Sequence, residues 1–298
     1  MLKDFSELVK RAEGGEKTRL ALVGAQDGEA LGAVVNAARK GTVEPILVGS
    51  PDAVKKTAEV EGIDIDGYEI VEPGDDGDAH TACQLVVDGR AQALMKGRVS
   101  TGDILRAVLD KRYNLRGKGL ISHVILLENP RYHKLFIMTD VAMVVKPDLK
   151  QKIEITKNAV EVMHKLGVEK PKVGMICAVE KVNYEHMPDT VDAAIISQMS
   201  VRGQMGNCII DGPLAFDNAI SKTAAEIKGI DSPVAGDIDI AVLPDIEAAN
   251  ALYKGLMFLS DSKSAGIIVG SKVPIILLSR ADTEECKYYS ILLSGLVS

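Results

Sequence analysis

Tryptophan is absent from the 298 residues, and aromatic side chains make up only 4% of them. Stacking platforms for single-stranded nucleic acid are therefore not expected. Cysteine is sparse: Cys83, Cys177, Cys208 and Cys286 lie far apart and form no CxxC pair, which excludes zinc-site spacing and a disulfide framework. The five histidines are scattered, with no HxxxH pair, and none stands out as a ligand or catalytic base. GxGxxG and GxxxxGK(S/T) are both missing, so dinucleotide and Walker-type nucleotide binding lose support. Excess positive charge is lacking too; the net charge of −7 argues against a general nucleic-acid binder. No apolar run reaches membrane-spanning length, and the stretch Met1-Leu2-Lys3-Asp4-Phe5-Ser6-Glu7 has no signal-type apolar region. The expectation is a cytoplasmic protein with no membrane partner.

What is present fits a globular α/β chain. Hydrophobic residues are 46% and charged residues 26%, and the length suits two domains. Short apolar runs alternate with stretches of helical spacing: Leu20–Gly24, Pro45–Gly49, Tyr68–Val71 and Ala91–Met95 read as strands, and 30–38, 51–61, 78–88 and 102–112 as helices. That order implies a parallel sheet wrapped by helices. Two apolar runs, Val124–Leu127 and Leu135–Met138, interrupt the rhythm around Glu128-Asn129-Pro130-Arg131, as expected for an antiparallel excursion where the chain crosses between domains. Alternation then resumes, with helix 150–165, strand 173–179, helix 189–202, strands 208–210 and 238–243, and helix 246–259. No long linker separates the parts, which favours two domains with a cleft.

Two loops carry candidate chemistry. Near the C-terminus the run Val273-Pro274-Ile275-Ile276-Leu277-Leu278 gives way to Ser279-Arg280, and Asp282-Thr283-Glu284-Glu285 reads as a helix start with Asp282 as N-cap and Glu285 completing a capping box. A hydroxyl and a guanidinium thus stand where a buried parallel strand hands over to a helix, a favoured ligand crevice. Arg beside a helix N-terminus suits phosphate or carboxylate; a turn serine and a solvated arginine are the plainer reading. The second loop, Met95-Lys96-Gly97-Arg98-Val99-Ser100-Thr101-Gly102-Asp103-Ile104-Leu105-Arg106, gathers cations, hydroxyls and glycines that would cradle an anion. Against this, Ser100 or Thr101 also serves as a helix cap, and Arg106 has Asp103 and Asp110 within pairing distance along the helix. Asp245 follows Pro244 as a natural N-cap, and Asn250 and Lys254 share one face of its helix. Cys286 reads most simply as a small buried apolar residue.

Taken in order, Met95-Lys96-Gly97 with Thr101–Arg106, Asp211-Gly212-Pro213 with Asp217, Ser232–Gly236, Pro244-Asp245-Ile246-Glu247-Ala248 with Asn250, and Leu278-Ser279-Arg280 resemble the phosphate acetyl/butyryl transferase family. Each motif alone is weak; the ordered set is specific and runs from about residue 80 to the end. The length and the Ser-Arg-x-Asp ending are more similar to the butyryl branch. The resemblance implies acyl-CoA + phosphate ⇌ acyl phosphate + CoA on a short acyl group. It further implies a ternary complex without metal or acyl-enzyme, coenzyme A as substrate with no permanently bound cofactor, and a homodimer. The implied fold is two α/β/α domains with mainly parallel sheets and an interdomain cleft, similar to the isocitrate and isopropylmalate dehydrogenases. One domain would hold residues 1–128 with 266–298, the other 129–265.

The resemblance also implies roles. Ser279 matches the serine that hydrogen-bonds the CoA sulfur; Arg280 and Arg106 match the arginines that hold phosphate and offset charge in the transition state. Lys96, Gly97, Ser100, Thr101, Asp211, Asp245 and Asn250 would contact substrates. The acetyl branch has an aspartate seven positions after the serine as base for the thiol, and here that position is Cys286. Glu285 and Asp282 are the alternative bases; otherwise Arg280 and the helix N-terminus favour the thiolate without one. Two other classes stay open: an NAD- and metal-dependent dehydrogenase on the same fold, and a non-catalytic CoA-binding relative.

Overall fold

The computed structural model describes all residues except Met1, Lys118 and 278–281. The chain divides into two compact units. The terminal unit comprises Ser6–Gly119 and Ala265–Ser298; the middle unit comprises Leu120–Ser264 with the first five residues.

After α1 (Phe5–Glu13), the terminal unit alternates strictly: β1 (Thr18–Val23), α2 (Gly28–Arg39), β2 (Val43–Val48), α3 (Pro51–Glu61), β3 (Glu69–Val71), α4 (Asp78–Val87), β4 (Ala93–Lys96) and α5 (Thr101–Leu109). The middle unit holds β5 (Ser122–Glu128), β6 (Phe136–Thr139), α6 (Leu149–Lys165), β7 (Lys172–Ile176), α7 (Asp189–Val201), β8 (Ile209–Leu214), α8 (Phe216–Ile220), α9 (Lys222–Ile227), β9 (Ile240–Val242) and α10 (Ile246–Leu259). Then β10 (Lys263–Val269) leads back, and β11 (Ile275–Ile276) and α11 (Glu284–Leu296) complete the terminal unit.

In the terminal unit the strands lie in the order β3-β2-β1-β4-β11-β10. All neighbours run parallel except β10 against β11. Leu20 to Val23 and Ala93 to Met95 are fully buried, the near-continuous apolar run of strands covered on both faces. In the middle unit the order is β5-β6-β9-β7-β8, with β5 antiparallel to β6 and the rest parallel. Its core gathers Ile125, Leu127, Phe136, Met138, Leu214 and Ile238. Helix α6 starts on a reciprocal capping box between Asp148 and Gln151.

Four features differ from the sequence reading. The chain passes between units at 119/120 rather than 128/129, so β5 sits with its antiparallel partner β6. Among the described residues of the run from Val273, only Ile275–Ile276 form a ladder. Pro274 has no N–H to give, although its carbonyl accepts from Leu94. Strand β10 lies within Lys263–Val269, where the pattern gave no expectation. Finally, α11 is capped not by Asp282 but by Thr283, whose hydroxyl accepts from the Cys286 N–H at 3.2 Å. With the cap one residue later, Glu285 no longer stands three positions on. Its carboxylate accepts from the Tyr289 hydroxyl at 2.6 Å.

Candidate functional site

In the terminal unit the C-terminal ends of β1 and β4 are drawn together by glycine. Gly97 donates to Val23 O and Arg98 N donates to Gly24 O, each at 2.8 Å. A Cβ on Gly97 would stand 2.4 Å from Gly24 O, and Gly24 has φ +73° with Arg98 backbone 2.9 Å from its own would-be Cβ. Neither position tolerates a side chain. The pinch brings the starts of α2 and α5 to one edge. Asp27 caps α2, accepting from Ala30 N at 3.0 Å, and Ser100 caps α5, accepting from Asp103 N at 3.0 Å.

Beside these helix starts lies a cavity of about 500 Å³, lined by the cations Lys96, Arg98 and Lys287 and by Asp27, Glu29 and Asp103, with Gly97 and Ser100 in its wall. A neighbouring cavity of about 640 Å³ shares Asp27, Glu29 and Arg98 and extends to Lys56, Thr57 and Glu61. The arrangement suits anions: helix N-termini, backbone N–H groups and ammonium and guanidinium groups converge at the carboxyl ends of parallel strands.

The structure brings Lys96, Gly97 and Ser100 together at this cavity. Thr101 opens α5 immediately beyond Ser100. Arg106 turns aside: its guanidinium pairs with Asp103 at 2.7 Å with the side chain 75% exposed. The Ser100 hydroxyl and then Arg106 hold the Asp103 carboxyl below the ordinary range. Asp211, Asp245 and Asn250 belong to the middle unit. Asp211 Oδ1 accepts from Gly212 N at 2.8 Å, Asp245 caps α10 by accepting from Ala248 N at 2.8 Å, and Asn250 lies on α10, half-buried. Asp217 pairs with Lys228 at 3.0 Å, which holds its carboxyl low. Ser279 and Arg280 lie outside the described residues. Cys286 is buried at the start of α11.

Arg98 is one of the cations of the loop after β4 that the sequence marks as an anion cradle, though the family motif gives it no role; its guanidinium has no ion-pair partner among the described residues. Lys287 gave no local signal, because its place at the cavity depends on α11 packing against α2.

The family pattern described as phosphate acetyl/butaryl transferase matches residues 76–294. The chain belongs to this family. It is 44% identical to a phosphate butyryltransferase of Clostridium acetobutylicum, over 100% of this chain and 99% of that protein. It is 42% identical to a phosphate acetyltransferase of Thermotoga maritima, over 98% of each. The crystal structure of a branched-chain phosphotransacylase from Enterococcus faecalis V583 superposes with a TM-score of 0.83 at 32% identity, covering 94% of this chain and 99% of that one. A 4-hydroxythreonine-4-phosphate dehydrogenase from Burkholderia phymatum is similar at a TM-score of 0.54 and 14% identity, a likeness of fold alone. The comparisons thus lend the dehydrogenase reading no support.

Proposed function

We propose that this family member is a phosphate acyltransferase, acyl-CoA + phosphate ⇌ acyl phosphate + CoA, acting on a short acyl group. The observation that carries the reading is full-length similarity to a phosphate butyryltransferase, joined to a cation-lined cavity at the strand ends of the terminal unit. The acyl group transfers directly between the CoA sulfur and a phosphate oxygen. In the direction of CoA attack, the C–S bond forms, the C–O bond to phosphate breaks, and the thiol proton leaves with the phosphate. A free thiol has a pKa of about 8.5, so positive charge near the sulfur raises the thiolate fraction at neutral pH.

In this proposal Ser279 faces the sulfur and Arg280 the phosphoryl group, as the family motif implies. Lys96, Gly97 and Ser100 supply the anion cradle; Asp211, Asp245 and Asn250 are substrate contacts in the family motifs. Arg106 joins by leaving Asp103, an exposed pair of little worth. Glu285 and Asp282 remain the candidate carboxylate bases, and burial makes Cys286 unsuited to that work. The protein works in the cytoplasm as a homodimer with no resident cofactor. The exposed end of α10, where Phe258 and Leu259 are 71% and 88% exposed, supports self-association.

The test is thiol release from acetyl-, propionyl- and butyryl-CoA. Release is expected only with phosphate or arsenate, undiminished by chelator. With Arg280→Ala, kcat/KM should fall by about a hundredfold, the loss typical of removing a group that stabilises developing charge. Phosphate-independent release, or CoA binding without turnover, would overturn the reading.

A further inference from the structure

Lys287 is a buried lysine without a matching buried counter-charge. It sits in the first turn of α11 with its side chain 5% exposed, and its ammonium reaches Glu29 and Glu284 at 3.4 Å each. Both contacts are long for a charge-assisted hydrogen bond, and both carboxylates are mostly exposed, at 57% and 71%. Buried lysines elsewhere in this chain are held differently. Lys134 meets Asp239 at 2.7 Å and Asp237 at 3.0 Å; Lys152 meets Asp192 at 2.7 Å and also Asp189. An ammonium carries three donors, and burying one is costly unless all are well used. Lys287 has no third partner among the described residues, and it borders the cavity shared with Lys96 and Arg98.

The other charges around that cavity leave the position open. Asp27 is engaged in capping α2, and Asp103 is held by Ser100 and Arg106. Glu29, from α2, is the carboxylate that crosses to Lys287. We infer that Lys287 binds the phosphoryl group of a substrate in this cavity, with Glu29 as the weak internal partner that the phosphoryl oxygen displaces. The inference rests on the phosphate acyltransferase reading and assigns one of its substrate contacts to α11. The chemistry is that of a phosphate dianion or monoester, which comes either as inorganic or acyl phosphate or as the 3′-phosphate of CoA.

The experiment compares wild type with Lys287→Met, Lys287→Arg and Glu29→Gln, measuring thermal midpoint and KM for phosphate, CoA and dephospho-CoA. With Lys287→Met, KM for the phosphoryl-bearing substrate should rise by about tenfold or more, the size of a lost charge-assisted hydrogen bond. Lys287→Arg should recover part of the loss. A rise for phosphate with CoA unchanged assigns the site to inorganic or acyl phosphate. A rise for CoA that dephospho-CoA does not show assigns it to the 3′-phosphate. Glu29→Gln, at an exposed position, should lower the same KM. Unchanged KM values in Lys287→Met overturn the inference, whatever the thermal midpoint does, because a lysine that merely ties α11 to α2 would alter stability alone. If Lys287→Met does not fold, an unchanged KM in Glu29→Gln overturns it. If wild type releases no CoA with phosphate, the acyltransferase reading fails. Inorganic phosphate then decides the site separately: loss in Lys287→Met of the thermal stabilisation it gives wild type supports the site, and equal stabilisation refutes it.

Discussion

At the scale of single residues, the middle unit places two kinds of titratable group at opposite ends of its parallel strands. At the N-terminal ends, burial alone would raise the Asp237 carboxyl, but Lys172 and Lys134 hold it well below the ordinary carboxylate range. Lys134 is also anchored on Asp239, so this cluster ties together the entries to β6, β9 and β7. Near the C-terminal end of β6, His123 lies at the start of β5, where the Thr139 hydroxyl donates to its carbonyl. Both ring nitrogens of His123 are shielded from solvent and have no hydrogen-bond partner among the described residues. Burial pushes its pKa down to about 4. The folded protein therefore keeps His123 neutral at pH values where the unfolded chain, with an ordinary value of about 6.5, takes up a proton. The contribution is complete above that unfolded value and is lost as pH falls toward about 4. Urea titrations at pH 7 and pH 5 should show a drop in stability on the order of 2 kcal/mol from this group, missing in His123→Leu. Equal pH slopes in the two proteins would show that the imidazole is not the cause.

At the scale of elements, the start of α11 tests how well helix boundaries follow from sequence. Thr283→Ala removes the hydroxyl that accepts from Cys286 N and should cost about 1 kcal/mol in urea unfolding. Asp282→Ala, which leaves the Thr283 cap in place, should cost less. The alternation of strands and helices was legible because period and apolar runs are local properties. Helix α2 and strand β1 are examples, each written in consecutive residues. The cap of α11 was less legible, since Asp282 and Thr283 are both good capping residues and backbone direction decides between them. Strand β10 escaped notice because Lys263 and Ser264 open it with polar residues and its partner β11 is antiparallel, outside the parallel rhythm. The glycine pinch at Gly24 and Gly97 was visible only in part: a loop with Gly97 announced close approach, but the approaching chain lies some seventy residues earlier. Lys287 was illegible for the same reason. Apart from Glu284, three residues earlier, its surroundings are made by α2 and the loop after β4.

At the scale of the whole molecule, the homodimer proposal has a direct check. Light scattering should give a mass near twice the chain's 31.9 kDa, and Phe258→Ser with Leu259→Ser should shift it toward the monomer. A dimer unaffected by that double change would place self-association elsewhere. Such a dimer would also unfold at a temperature that rises with protein concentration.

The return of the chain to its starting unit has a consequence for synthesis. Strand β4 is complete by Lys96, yet its neighbour β11 is Ile275–Ile276, and the helix that brings Lys287 to the cavity ends at Leu296. A nascent chain emerging from the ribosome thus exposes all of the middle unit before the terminal unit has its last strands. With domains folding as units during translation, the Ser6–Gly119 segment must wait, one β-sheet edge open, until β11 and α11 arrive. The edge of β4 during that interval is a natural point for chaperone engagement, and premature termination after residue 264 would leave it permanently unpaired.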